Sequence, residues 1–184
     1  MLFISSRKSL ICNRDYRRQS LGLQLKETLV NPWVLRFVSE LQTQTTQPPP
    51  VTGVIETALY VDDLQRAVAF YRKLFGFPIL NEDNRFCALD VARRSVLLLF
   101  LRGASTEPIR LPFGVIPPHD SQGPAHFAFA IPAGSVDAWE AYLRKLGVII
   151  ESSVFWPSGG RSLYFRDPDG HAVELATPGT WATY

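Results

Sequence analysis

Three side chains on short apolar strands could do chemistry in this chain: Glu56 within residues 55–61, His126 within 125–131 and Glu174 within 171–176. Side chains alternate between the two faces of a strand. Glu56 therefore shares a face with Ala58 and Tyr60, His126 with Ala128 and Ala130, and Glu174 with Ala172 and Ala176. The bulkier Leu59, Val61, Phe127, Phe129, Val173 and Leu175 take the opposite faces. Helices covering those bulky faces leave two carboxylates and one imidazole pointing into a cleft. A carboxylate between apolar neighbours is costly unless a cation or good hydrogen bonds compensate it, and a divalent ion would neutralise both acids. Three protein ligands with open positions is the pattern of a catalytic metal, because water or substrate completes the shell.

A lone strand histidine is more often a satisfied core group, and a lone strand glutamate more often an exposed edge residue. What sets these apart is a repeat. Residues 55–77 are echoed by 125–148, strand then helix, with Glu56 and His126 at equivalent positions. A fixed-period repeat means that neither unit buries its apolar face alone, so equivalent positions of both line any cleft between them.

The elements that must hold these residues are legible from periodicity and turn chemistry. A strand to Val61, an Asp62 or Asp63 cap, a helix to Phe75 and a Gly76 stop are followed by three strands near 77–80, 85–91 and 95–101. The second unit repeats the order: strand 125–131, a Ser135-capped helix to Leu146, then strands 148–152, 161–166 and 171–176 around an Asp167-Pro168-Asp169-Gly170 turn. Each unit is a β-α-β-β-β module. Residues 102–123 are Pro-rich, carry Phe113 and His119, and read either as a passive crossover or as a lid over the cleft. His171 differs in parity from Glu174 and is expected to point outside.

Hydrophobic residues make up 46% and charged residues 20% of 184, ordinary for a globular chain. The net charge of +2 sits in the tail: residues 1–50 hold seven basic and three acidic residues, leaving twelve and fourteen for the rest. A slightly acidic domain argues against nucleic-acid binding, which needs a basic face. Cys12 and Cys87 form no metal or disulfide spacing, which fits a reducing, cytoplasmic compartment. The longest apolar run, 96–101, is far short of the roughly 20 residues that cross a bilayer, so no membrane span is expected. Residues 1–50 read as an extension and linker, with an Asn31-Pro32 helix start and a faint likeness to a transit peptide; 51–178 is the domain, with modules about 53–102 and 124–178, and 179–184 is a tail.

Residues 58–64, 69–71 and 74–77, and above all 164–175, resemble the vicinal oxygen chelate superfamily, which contains glyoxalase I, extradiol dioxygenases, fosfomycin-resistance thiol transferases and bleomycin-binding proteins. The resemblance covers about residues 53–178. It implies an α+β fold of two β-α-β-β-β modules forming an open, curved, mixed β-barrel with helices outside, around one divalent metal on Glu56, His126 and Glu174. Many relatives have His where Glu56 stands. The more oxygen-rich set raises Mn²⁺, Fe²⁺ or Mg²⁺ beside Ni²⁺, Co²⁺ or Zn²⁺.

Phe100, aligned with Glu174, cannot supply the fourth ligand of glyoxalase-type members, which disfavours glyoxalase I proper; the two-His, one-carboxylate set of extradiol dioxygenases is not matched either. Ser162 and Tyr164 resemble the substrate-facing hydroxyls of the thiol transferases, and Tyr60 and Phe100 join them as candidate substrate contacts. Arg161, beside Gly159-Gly160, could anchor an anionic substrate, with an exposed hairpin arginine as the plainer reading. Trp156 could line the pocket. The resulting expectation is an enzyme that chelates a small oxygenated substrate and stabilises an oxyanion or enolate, as lyase, isomerase, thiol transferase or dioxygenase-like catalyst, with Glu56 or Glu174 as base. The alternative is a non-catalytic binding protein of the bleomycin-resistance type. The modules pair either within one chain or between two chains of a homodimer.

Overall fold

The computed structural model describes residues 48–184; the helix expected after Asn31-Pro32 lies outside them. The chain divides at Val51/Thr52, and the unit from Thr52 to Tyr184 carries both modules.

The first module runs β1 (Glu56–Val61), α1 (Leu64–Phe75), β2 (Ile79–Glu82), β3 (Phe86–Val91) and β4 (Ser95–Leu101). Helix α1 starts where the Asp63 carboxylate accepts the Arg66 N–H at 3.0 Å, so one of the orphan donors of the first turn is satisfied. It buries Ala67, Tyr71 and Leu74, one stripe at helical spacing. Pro78 has no N–H to donate, and the β2 ladder begins one residue later at Ile79. The second module runs β7 (His126–Ala130), a 3₁₀ turn (Ala133–Ser135), α2 (Val136–Lys145), β8 (Ile150–Phe155), β9 (Arg161–Arg166) and β10 (Ala172–Ala176). Ser135 does not cap α2 with its side chain; its hydroxyl donates to Pro132 O inside the 3₁₀ turn. Between the modules, residues 102–123 form a small hairpin, β5 (Ile109–Leu111) and β6 (Gly114–Ile116), with Phe113 at its fully exposed tip.

Each module folds into a four-stranded mixed sheet, in the orders β1-β4-β3-β2 and β7-β10-β9-β8. In both, the first strand is an edge strand and pairs in parallel with the last. The architecture is α+β with two open, curved sheets. Leu59, Val61, Leu97 and Leu99 of the first sheet pack with Ala67 and Tyr71 of α1, and Phe127 and Phe129 of β7 pack against the same cluster. Leu74 of α1 belongs to the second cluster, with Val136 and Leu143 of α2, Leu163, Phe165, Val173 and Leu175. The helix-covered faces of both sheets thus share one core, and the sheets do not close a barrel within one chain. Their other faces, which carry Glu56 on one sheet and His126 with Glu174 on the other, turn outward from that core.

The Asp167–Gly170 turn joins the modules. Asp167 is buried; one of its oxygens accepts the N–H groups of Asp169 and His171, and the other accepts the Tyr71 hydroxyl of α1 at 2.8 Å. Asp169 reaches Asp62 N and Arg66 at the start of α1. Gly170, at φ +83°, closes the turn with its N–H on Asp167 O.

Candidate metal centre

Strands β7 and β10 bring His126 and Glu174 together. Ala172 is the register partner of His126 and Glu174 that of Ala128, so the two side chains are diagonal neighbours on one face, within reach of each other. His126 Nε2 lies 3.3 Å from Glu174 Oε2. The other ring nitrogen, Nδ1, is 3.3 Å from Ala172 O. A carbonyl only accepts, so Nδ1–H donates to it, and Nε2 is the ring nitrogen that faces the carboxylate. A divalent cation between Nε2 and Oε2 would be held by both atoms. Glu174 is 5% exposed, and its other oxygen, Oε1, is buried without a hydrogen-bond partner. A half-satisfied buried carboxylate beside an imidazole nitrogen is a donor set that suits a divalent ion.

Tyr164, opposite Glu174 on β9, stacks on the His126 ring with centroids 6.0 Å apart. Burial first, then the neighbouring Glu174, hold its hydroxyl above the ordinary tyrosine value. Ser162 is fully buried on the same strand face and accepts the Trp156 indole N–H at 2.8 Å.

Glu56 is not part of this group. Among the described residues no three His, Cys, Asp or Glu side chains gather closely enough to hold a metal. Glu56 instead lines a cleft of about 610 Å³ on the outer face of the first sheet, with Ala58, Tyr60, Leu98 and Phe100 on β1 and β4 and Ile109, Leu111, Ile116 and His119 from the 102–123 segment. That segment does cover the cleft. His119, carried by that segment, meets the Tyr60 hydroxyl at 2.6 Å and sits edge-on to Phe100. Burial, then the charge of Asp120, raise the Tyr60 hydroxyl. A larger cavity of about 870 Å³ lies between α1 and strands β2 and β3 and contains none of the expected site residues.

Three sequence expectations change. Arg161 shares strand parity with Leu163 and Phe165, so it points to the helix side; there it pairs with Asp137 at 2.8 Å and lies over the Phe155 ring, turned from the face of Ser162 and Tyr164. His171 does not point outside. It has the parity of Val173 and Leu175, the core side, and is 1% exposed: Nδ1 accepts the Ala125 N–H at 2.9 Å, which leaves Nε2–H to donate to Tyr60 O at 3.1 Å. Finally, the register pairs Ala58 with Leu98 as it pairs Ala128 with Glu174, so the equivalent of Glu174 is Leu98, two residues before Phe100. Leucine, like phenylalanine, has no ligating atom.

Two open sheets from a duplicated β-α-β-β-β unit, each with its acidic or imidazole group on the first or last strand, define the class. The chain belongs to the Glyoxalase/Bleomycin resistance protein/Dioxygenase superfamily, whose family model matches residues 53–175. It is similar to a metallothiol transferase FosB of Bacillus licheniformis, 30% identical over 128 residues that are 69% of this chain and 76% of the relative. It is also similar to a glutathione transferase FosA of Serratia marcescens, 30% identical over 120 residues, 64% and 74% of the two chains. The crystal structure of a lactoylglutathione lyase from Agrobacterium tumefaciens superposes with a TM-score of 0.67 at 34% identity, over 73% of this chain and 99% of that one. Among the described residues no helix is long and apolar enough to cross a membrane.

Proposed function

We propose that this protein is a divalent-metal-dependent enzyme acting on a small oxygenated substrate, and that its centre is completed between two copies of the chain: His126 and Glu174 from one, Glu56 from the other. The observation that carries the reading is the His126 Nε2–Glu174 Oε2 approach of 3.3 Å beside an unpartnered, buried Glu174 Oε1. Glu56 lies on the outer face of the other sheet, and both first strands leave an open edge, so a two-fold arrangement can set the first sheet of one copy against the second sheet of the next. The similarity to a metallothiol transferase supports the metal.

A divalent ion on these three side chains would polarise a substrate oxygen and offset negative charge developing on it. The rest is the work of the chain's own groups. Tyr164, kept protonated, and Ser162 are hydroxyl groups on the face beside Glu174. Tyr60 and His119 offer a second hydrogen-bonding pair at the Glu56 cleft. Glu56, exposed at the start of β1, would serve as the base once released from the ion. The reaction is of lyase, isomerase or transferase type; the likeness to a lactoylglutathione lyase weighs for the first, while Leu98 at the fourth-ligand position weighs against glyoxalase chemistry itself.

A second reading, a non-catalytic binding protein, is favoured by the predominantly apolar cleft. Elemental analysis of dialysed wild-type protein separates the two. The enzyme reading expects about one divalent ion per chain, lost on His126→Ala and Glu174→Gln; a wild-type protein that stays metal-free on supply of Mn²⁺, Fe²⁺ and Zn²⁺ contradicts it.

A further inference from the structure

We propose that the cleft beside Glu56 is a subsite for a planar aromatic ring system with an oxygen at its edge. The inference deepens the reading above, because it takes this cleft as the substrate chamber and names what fills it. Three rings lie side by side across the outer face of the first sheet. Tyr60 on β1 is the register partner of Phe100 on β4, which is the partner of Phe86 on β3. Tyr60 and Phe100 have centroids 5.8 Å apart at an interplanar angle of 24°, and Phe86 and Phe100 lie 5.6 Å apart at 25°. Cross-strand alternation puts them all on one face, where the three rings stack in a row with Phe100 buried in the middle and Tyr60 and Phe86 at its two ends.

The β5–β6 hairpin adds the aliphatic side chains of Ile109, Leu111 and Ile116, while Asn81, Asp83 and Arg85 line the same cleft. Leu111 and Ile116 are 53% and 41% exposed, more than half-buried side chains leave open in a finished core, and a ligand in the cleft would cover them. An aromatic surface on one side and branched aliphatics on the other accept a flat ring better than a puckered one, because offset stacking adds to the burial of area.

The polar end is equally specific. The Tyr60 hydroxyl and His119 Nδ1, 2.6 Å apart, stand where β1 meets the covering segment, with His119 edge-on to Phe100 at 4.7 Å. One hydroxyl and one imidazole at the cleft can exchange their mutual hydrogen bond for one to a phenolic oxygen, an interaction that a fully hydrophobic ligand does not offer. The size of the cleft, about 610 Å³, takes two fused rings.

The test uses 2-naphthol and its saturated counterpart 2-decalol, titrated by calorimetry into the full chain stripped of metal with EDTA. The expected result is that 2-naphthol binds about tenfold more tightly than 2-decalol, from ring stacking. Phe100→Leu and Phe86→Leu, which keep bulk and remove the ring, bring the two affinities together, and His119→Ala weakens 2-naphthol while leaving naphthalene unchanged. Equal affinities in the wild type, no binding of 2-naphthol up to its solubility, or unaltered preference in a leucine variant with native circular dichroism each overturn the proposal. Since wild-type discrimination alone decides it, a variant that fails to fold does not rescue it. Metal content is measured on the same preparation before stripping. Equal affinities in a protein that carried metal before stripping sink this inference only, and tenfold discrimination in a protein that takes up no Mn²⁺, Fe²⁺ or Zn²⁺ before stripping sinks the metal reading only.

Discussion

Replacing Tyr71 with Phe probes the contact on which the two modules depend. Tyr71 has no solvent exposure and donates its hydroxyl to Asp167 Oδ2 at 2.8 Å, while Asp167 Oδ1 holds the N–H groups of Asp169 and His171. Phe fills the same volume, so no cavity opens; what is lost is a buried hydrogen bond to a carboxylate, and Asp167 Oδ2 is left without its donor. Removing one partner of such a bond costs about 2–3 kcal/mol. For a domain of this size that lowers Tm by roughly 6–12 °C. Urea unfolding of wild type and Tyr71→Phe, followed by circular dichroism at pH 7, reads the difference.

A second arm tests the protonation state. Burial, then the charge and hydrogen bond of Asp167, hold the Tyr71 hydroxyl far above its ordinary value near 10. Above pH 10 the unfolded chain releases this proton and the folded chain keeps it, so the stability it contributes is intact below about pH 10 and falls by about 1.4 kcal/mol per pH unit above it. Tyr71→Phe should show a slope shallower by that amount between pH 10 and 11. A loss under 0.5 kcal/mol at pH 7, or identical alkaline slopes, would refute the claim that the Tyr71–Asp167 contact joins the modules.

Gly160→Ala should destabilise by more than about 2 kcal/mol, since a Cβ there would meet the Gly179 carbonyl carbon and Thr180 N at 2.4 Å, backbone atoms that cannot move aside; chemical denaturation checks it. Burial pushes the Cys87 thiol up to about 11, two units above its ordinary value, so iodoacetamide at pH 8 should label it about 100-fold more slowly in native than in urea-unfolded protein. His171→Ala removes the acceptor for Ala125 N–H and the donor to Tyr60 O in a fully buried position, and should cost about 3 kcal/mol, read as a lowered urea midpoint.

The local structure was legible because its causes are local. The alternation in 56–61, 126–130 and 172–176 put Glu56, His126 and Glu174 on the faces away from the helices, which is where they stand, and the Asp63 cap and the Asp-Pro-Asp-Gly turn work as turn chemistry requires. Strand limits moved where a neighbour decides them: β8 runs to Phe155, beyond the expected 152, because it pairs with β9 as far as Arg161. The β5–β6 hairpin escaped notice, since two three-residue strands among prolines leave no periodicity to read. His171 was misread although its parity with Val173 and Leu175 already marked it as a core residue. What no local pattern encodes is which sheet faces which. The shared core formed by Phe70, Phe75, Phe127 and Phe129 turns the two reactive faces apart within one chain, a consequence of long-range packing that separates Glu56 from the other two side chains.

The central claim, a metal centre built from two copies, is tested most directly by mixing inactive chains. Glu56→Gln and His126→Ala proteins are each purified, confirmed to be free of bound metal, unfolded together in equal amounts, refolded, and dialysed against Mn²⁺ before elemental analysis. Random pairing yields mixed dimers in which one centre draws Glu56 and His126 from intact sequences, so metal should return to about a quarter of the wild-type content. Recovery of none, while co-refolded wild-type protein regains its full complement, would contradict a centre shared between chains.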